Sequence, residues 1–397
     1  MYEDLTRFIP KDRMAKIAES FNKFKAEENA TISYMVKEFE SRKSAEAYSK
    51  ISVAKTGVID TNKLHSYRYN DDIFRRLSVL PNGKNHGFIM FLDWSGSMTQ
   101  NMQKTVKQLI SLTMFCKRVQ IPFEVYFFRD LNGAEYDFSK RSFEAGKNTV
   151  QMSDFRLRNI LSSRMSLSEL NLAYNLLWVQ GEGGSDRYRV DPMGGTPLNQ
   201  AIIAAELLVK QFRKNNKLEI VNTIFLTDGD SNSINGVNYD NPPFKPKGNR
   251  FILKDDVMKK EYNLGNGNFG YSSDITNIFL RILKDRTNSN LIGFFLSSAK
   301  LRSILYDAFG YSSDISKYTD EWKKNKFISV QSKGYDDYYI INACEMDIKT
   351  EDYSINTDMT RSKIAKEFMK FAEKKSVNRV LLSRFIEKIS GQSKKVA

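Results

Sequence analysis

Histidine and cysteine are scarce, with two of each in 397 residues, and there are only eight prolines. Cys116 and Cys344 are too few for a disulfide framework, and each lies in an apolar segment suited to a reduced core thiol. A cytoplasmic compartment is therefore expected. His65 and His86 are far apart, each read as a hydrogen-bonding residue near a domain junction. No His-Glu-x-x-His occurs, which excludes zinc-protease chemistry. A serine hydrolase would need a Gly-x-Ser-x-Gly elbow and a nearby histidine, and neither is found. There is no Gly-x-x-x-x-Gly-Lys-Ser/Thr loop, so ATP hydrolysis by that route is excluded as well. No apolar run approaches the roughly 18 residues of a membrane-spanning helix. The start Met1-Tyr2-Glu3-Asp4 has neither the basic residues nor the apolar stretch of a secretory signal.

What is abundant is apolar and basic. Hydrophobic residues make up 41% and aromatics 12%, which rules out general disorder, and the length suits one large domain with additions or two to three ordinary ones. Net charge is +14 and the sequence pI about 9.4. From Arg361 to Ala397 eleven lysines or arginines face three acids, so more than half the surplus sits in the last tenth of the chain. There Ile364, Phe368, Phe371 and then Val377, Leu381, Phe385, Ile389 repeat at helical spacing, which predicts basic C-terminal helices over about 360–390. Their outer face reads either as a solvated surface or as a dock for an acidic partner. Nucleic-acid binding would rest on charge alone, since no zinc finger, RRM aromatic motif or basic zipper occurs.

Residues 1–80 read as a helical N-terminal region. Met14, Ile17, Phe21 and Phe24 predict one helix, and Ile32, Met35, Val36 and Phe39 a second. Ser49 to Tyr69 is polar and aperiodic, Asp71 to Val79 reads as helical, and Pro81-Asn82-Gly83 marks a turn. Residues 81–397 change character. Strands are predicted at Phe88–Leu92, Pro122–Phe128, Glu219–Leu226, Leu291–Leu296 and Asp337–Ala343. Helices are predicted at Asn101–Gln120, Leu167–Val179, Pro197–Phe212, Thr276–Leu283 and Leu301–Ala308. This alternation predicts an α/β fold with a doubly wound, mostly parallel sheet. Polar stretches at about 132–189 and 231–270 read as loop insertions. The hexapeptide Gly-Tyr-Ser-Ser-Asp-Ile, at Gly270 and again at Gly310, reads as a pair of helix N-caps.

Asp93-Trp94-Ser95-Gly96-Ser97 follows the first buried strand, at the end where open α/β sheets bind ligands. A carboxylate and two hydroxyls at alternate positions supply hard oxygen donors, which suit Mg²⁺ or a similar cation such as Mn²⁺. A helix cap explains the same pattern. Gly194-Gly195-Thr196-Pro197 reads as a turn into a helix, with Thr196 at the cap and Pro197 first in the helix. Thr227-Asp228-Gly229-Asp230 follows another strand; if the two strands are neighbours, Asp228 and Asp93 converge and need a cation between them. A haloacid-dehalogenase reading fails at Ser95, where a second Asp is required. An EF-hand reading fails at Ser233 and Tyr239. Trp94 reads either as a partner contact or as a residue packed on its loop.

These three ordered motifs resemble the metal-ion-dependent adhesion site of von Willebrand factor A domains, a Rossmann-like family. The resemblance implies Asp93, Ser95, Ser97, Thr196 and Asp228 as metal ligands, with an open position completed by a partner's carboxylate; it gives Asp230 no role, leaving it a loop cap. Thr56 to Leu64, then Phe74-Arg75-Arg76 and the Ser-Gly-Ser-Met site, are similar to cobaltochelatase CobT-type A domains, which some bacteriophages also encode. That similarity implies an AAA+ ATPase partner of the MoxR/CobS type and a role with no catalysis of its own, coupling the ATPase to a client protein. The alternatives are a chelatase component inserting metal into a tetrapyrrole, as in cobalamin biosynthesis, and a phage or bacterial structural or adhesive module.

Overall fold

The computed structural model describes residues 11–49, 52–59, 68, 74–79, 85–131, 154–182, 192–229, 231–232, 251–265, 273–297, 302–304, 318–319, 322, 327–330 and 334–342. Its centre is a seven-stranded sheet in the order β10-β11-β9-β6-β3-β4-β5. The strands are β3 (His86–Asp93), β4 (Phe123–Asp130), β5 (Phe155–Ser162), β6 (Ile220–Thr227), β9 (Asn290–Ser297), β10 (Phe327–Val330) and β11 (Asp337–Asn342). Pairings from β11 through β9, β6 and β3 to β4 are parallel, and the two edge strands β10 and β5 are antiparallel. The chain winds outward from β3 in both directions, so the order reverses between β3 and β6, where such sheets open a ligand crevice.

Burial follows the two-residue period of a strand covered on both faces. Phe88, Met90 and Leu92 of β3 enter one apolar cluster, with helices α2 (Met102–Arg118) and α3 (Leu167–Glu182). Ile89 and Phe91 enter a second cluster, with α4 (Leu198–Asn216) and α5 (Ser273–Thr287). The result is a three-layer α/β sandwich around a doubly wound, mostly parallel sheet. Among the described residues no helix is long and apolar enough to cross a membrane.

The two expected N-terminal helices are one, α1 (Lys11–Ser49), 39 residues without glycine or proline. The apolar stripe looked interrupted because Glu28 occupies one of its positions. That carboxylate is fully buried against α2, where Ser111 Oγ donates to it at 2.9 Å. Around it Phe21 and Phe24 pack on Trp178 at 5.6 and 4.8 Å between ring centroids, and Phe39 meets Phe115 edge-on. The N-terminal helix therefore belongs to the same core as the sheet.

Asp71 to Val79 is not helical. Phe74–Val79 is strand β2, antiparallel to β1 (Ser52–Ile59), which arises within the stretch read as aperiodic. Phe74 and Leu77 are three apart, as on a helix, but over six residues that spacing cannot outvote a ladder running from Ser52↔Val79 to Ile59↔Phe74. The polar segment 132–189 contributes β5, whose Phe155 and Leu157 alternate with Arg156 and Arg158, the pattern of a half-exposed edge. Segment 231–270 contributes the hairpin of β7 (Phe251–Asp255) and β8 (Lys260–Gly265). Strand β10 was not anticipated at all, being four residues long. The C-terminal helices, His65, Cys344, Asp230, most of Leu301–Ala308 and the second hexapeptide lie outside the described residues; α5 begins at Ser273, inside the first copy.

The β7–β8 hairpin is pinned by charge. Asp255 accepts two bonds from Arg286, at 2.6 and 3.0 Å, and Arg286 also bonds Glu206 of α4 at 2.8 Å. The guanidinium's hydrogen bonds hold the Asp255 carboxyl down at about 2. A depressed carboxyl stabilises the fold above the ordinary range near pH 4 and loses that effect as pH falls through 2. Asp255→Asn is expected to cost about 2 kcal/mol at pH 6, the scale of hydrogen bonds to a charged group. Urea unfolding at several pH values should show the gap from wild type closing between pH 4 and 2; a gap that persists at pH 2 contradicts the assignment.

Candidate functional site

The crevice is assembled from the ends of two buried, paired strands. Register sets Leu92 of β3 beside Leu226 of β6, so Asp93 ends one strand and Thr227 the other, with Asp228 next in line. Asp93 is fully buried; its Oδ1 accepts from the Ser95 N–H at 3.0 Å and its Oδ2 from the Thr227 hydroxyl at 2.8 Å. Ser95 Oγ lies 2.9 Å from Ser97 Oγ, and Ser97 Oγ donates to Asp228 Oδ1 at 2.7 Å. The Ser95, Ser97 and Asp228 oxygens are thus linked in turn toward the surface, and the backbone N–H of Ser95 ties that row to the buried Asp93.

The second loop joins through its backbone. Gly96 N–H donates to the Gly194 carbonyl at 2.9 Å and Gly194 N–H to the Trp94 carbonyl at 3.2 Å, a short parallel bridge of Ser95 with Gly194. Thr196 is buried two residues farther on. It is not the helix cap: α4 starts at Leu198, Pro197 holds the cap position, and the first-turn N–H of Asn199 is taken by the Ser231 hydroxyl at 3.0 Å. Asn232 instead holds the backbone on both sides of Thr196, its Oδ1 accepting from the Thr196 N–H at 3.1 Å and its backbone N–H donating to the Thr196 carbonyl at 2.8 Å. The first loop is likewise free of capping duty, since neither the 3₁₀ turn Ser97–Gln100 nor α2 has a side-chain cap bond. Trp94 is fully buried and stacked on Phe127 at 4.0 Å, so it packs beneath its loop and offers no surface to a partner.

Thr227, Asn232 and Asp130 were not singled out in the sequence as parts of the site. Thr227 holds Asp93 directly. Asp130 ends β4, and its Oδ2 accepts from Asn232 Nδ2 at 2.5 Å. The available signals were position at a strand's carboxyl end for Asp130 and a place in the Asp228 loop for Asn232.

Burial dominates the electrostatics. It raises the Asp93 carboxyl to about 7, aided by the charge of Asp228 and opposed by the bonds from Thr227 and Ser95. Burial also raises Asp228, against the bond from Ser97, and raises Asp130, against the bond from Asn232. No group of three or more His, Cys, Asp or Glu side chains gathers among the described residues. His86 starts β3, about 20 Å from the crevice at the rise of a strand, too far to serve Ser95 or Ser97 as a base. What remains is two carboxylates and three hydroxyls, a hard, acid-rich oxygen set whose charge repulsion a divalent cation would relieve.

No protein-family model matches the chain, and no curated protein matches it. Among solved structures, the pilus adhesin SpaC of Lactobacillus rhamnosus GG, in its open conformation, is 12% identical over 78% of this chain and 30% of its own, with a TM-score of 0.37. The vWF domain of the type V pili tip protein Mfa5 from Porphyromonas gingivalis is 10% identical over 55% of this chain and 82% of its own, with a TM-score of 0.25. Human COPII-coat protein Sec24c is 10% identical over 55% and 27%, with a TM-score of 0.24. This chain therefore spans about 30% of the adhesin. Likeness at that level carries no argument about function, and the fold class rests on the strand order and pairing described above.

A carboxyl raised toward 7 keeps its proton in the folded chain where the unfolded chain has lost it, so stability falls as pH rises from about 4 to 7. In EDTA, wild type is expected to lose thermal stability relative to Asp93→Asn between pH 5 and 8. A difference that stays flat with pH would show that burial does not govern this carboxyl.

Proposed function

We propose that the crevice binds Mg²⁺, or Mn²⁺ in its place, through Asp93, Ser95, Ser97, Thr196 and Asp228, and that the chain is a metal-dependent protein-interaction subunit. The observation that carries this reading is the set of oxygen donors gathered at the two strand ends: Asp93 held by the Ser95 N–H and the Thr227 hydroxyl, and the Ser95, Ser97 and Asp228 oxygens linked in turn. When bound, the cation supplies a Lewis-acidic position that takes up a carboxylate from another protein. The chain's own residues do the rest. Asp93 anchors the deep side, fixed by Ser95 and Thr227; Ser97 and Asp228 stand at the mouth, where a partner approaches; the Gly96–Gly194 and Gly194–Trp94 backbone bonds hold the two loops in step. In this reading the serines act as donors to the cation.

The finer reading, that this subunit couples a MoxR/CobS-type AAA+ ATPase to a client, rests on the CobT-like residues between Thr56 and Ser97. A pull-down with the full chain tests it. An ATPase or its client should be retained with Mg²⁺ on wild type and lost with EDTA or with Asp93→Ala. Equal capture under all conditions rejects metal bridging, and hydrolysis of phosphate, peptide or ester substrates by the purified chain rejects the non-catalytic assignment.

A further inference from the structure

We propose that Asn232, anchored on Asp130, is the positioning residue for Thr196. By holding the two peptide units that flank Thr196 it sets the second loop's contribution to cation binding; this rests on the metal reading above.

Three observations meet here. Asn232 engages Thr196 on both sides of its Cα, its side-chain Oδ1 accepting from the Thr196 N–H and its backbone N–H donating to the Thr196 carbonyl, so a single residue holds the two peptide units that flank Thr196. The Asn232 side-chain NH2 donates to Asp130 Oδ2, and Asp130 closes β4, the strand paired directly to β3. The clamp is thus referred to the same sheet that carries Asp93. Third, the clamp explains the two glycines. A Cβ on Gly195 would come within 2.4 Å of Asp130 Oδ2 and 2.6 Å of Asn232 Nδ2, and one on Gly194 within 3.0 Å of the Asp130 carbonyl. A side chain at 195 would push the Asp130 carboxylate and the Asn232 amide out of their mutual bond, and one at 194 would crowd the Asp130 backbone, so the Gly-Gly pair leaves room for Asn232 to reach Thr196 while bonded to Asp130.

The chemistry demands an amide at 232. Aspartate would accept from the Thr196 N–H but present a second carboxylate to Asp130 in place of a donor. Alanine would keep only the backbone bond. Among the described residues the Thr196 hydroxyl has no hydrogen bond, so the backbone held by Asn232 is what sets its direction there. Partners that orient metal ligands from behind typically change affinity 10- to 100-fold when removed.

The test uses the full chain and Mn²⁺ alone, with free Mn²⁺ read by its EPR signal and thermal unfolding in EDTA as the check on folding. Asn232→Ala should weaken Mn²⁺ binding about tenfold. Thr196→Ala should weaken it comparably, and the double variant should bind no more weakly than Thr196→Ala. Gly195→Ala, which drives a methyl into the clamp, should reproduce the Asn232→Ala loss should that variant fold poorly. Wild-type affinity in the clamp variants, or losses that add in the double variant, overturns the proposal, because a general loosening of the loop would not act through Thr196. A wild-type chain that binds no Mn²⁺ overturns the metal reading and this proposal together, an outcome distinct from clamp variants that bind as wild type does.

Discussion

Parallel pairing of β3 with β6 puts Leu92 beside Leu226, and the crevice depends on that register. Side chains alternate at every step of a strand, so a slip of one residue would turn Asp93 toward a helix layer and break its bond with Thr227. The register is enforced from below: Phe88, Met90 and Leu92 must enter one apolar layer while Ile89 and Phe91 enter the other. Hydrophobic alternation over five residues therefore fixes where two carboxylates meet. Stability and chemistry share one mechanical reference, the plane of the central strands.

The same frame explains why acids can be tolerated there. Burying Asp93 costs free energy that Ser95, Thr227 and a proton offset only in part. Two other buried carboxylates have arginine partners: Glu124 is bonded by Ser162, Asn159 and Arg164, and Asp255 by Arg286. At the crevice the bonds to Asp93 come from a hydroxyl and a backbone N–H instead. That difference separates the site from a structural ion pair.

Much of the fold was legible because its strands are short apolar runs and its helices strongly periodic. Strands β3, β4, β6, β9 and β11 and helices α2 to α5 fall where the pattern put them. What was illegible had local reasons. Glu28 sits in an apolar stripe and breaks the pattern of α1, because its partner Ser111 comes from α2, far away in sequence. Phe74 and Leu77 mimic a helical turn inside a strand. Strand β5 reads as polar because its outer face carries arginines. At the site, residues that donate to the crevice stood out through spacing, whereas Asn232 and Asp130 act through tertiary contacts that no spacing encodes.

Helix α1 has a consequence for the order of synthesis. It is made before anything it packs on: Trp178, whose indole N–H reaches Ser20, lies 158 residues downstream. At about 5 to 20 residues per second, the interval before that partner exists is roughly 10 to 30 seconds. During it the stripe of Ile17, Phe21 and Phe24 has no native surface to cover, and α1 alone draws little support from its own turns. Phe39 and Glu28 find their partners Phe115 and Ser111 once α2 is made, whereas the end of α1 that carries Phe21 and Phe24 stays uncovered until α3 brings Trp178.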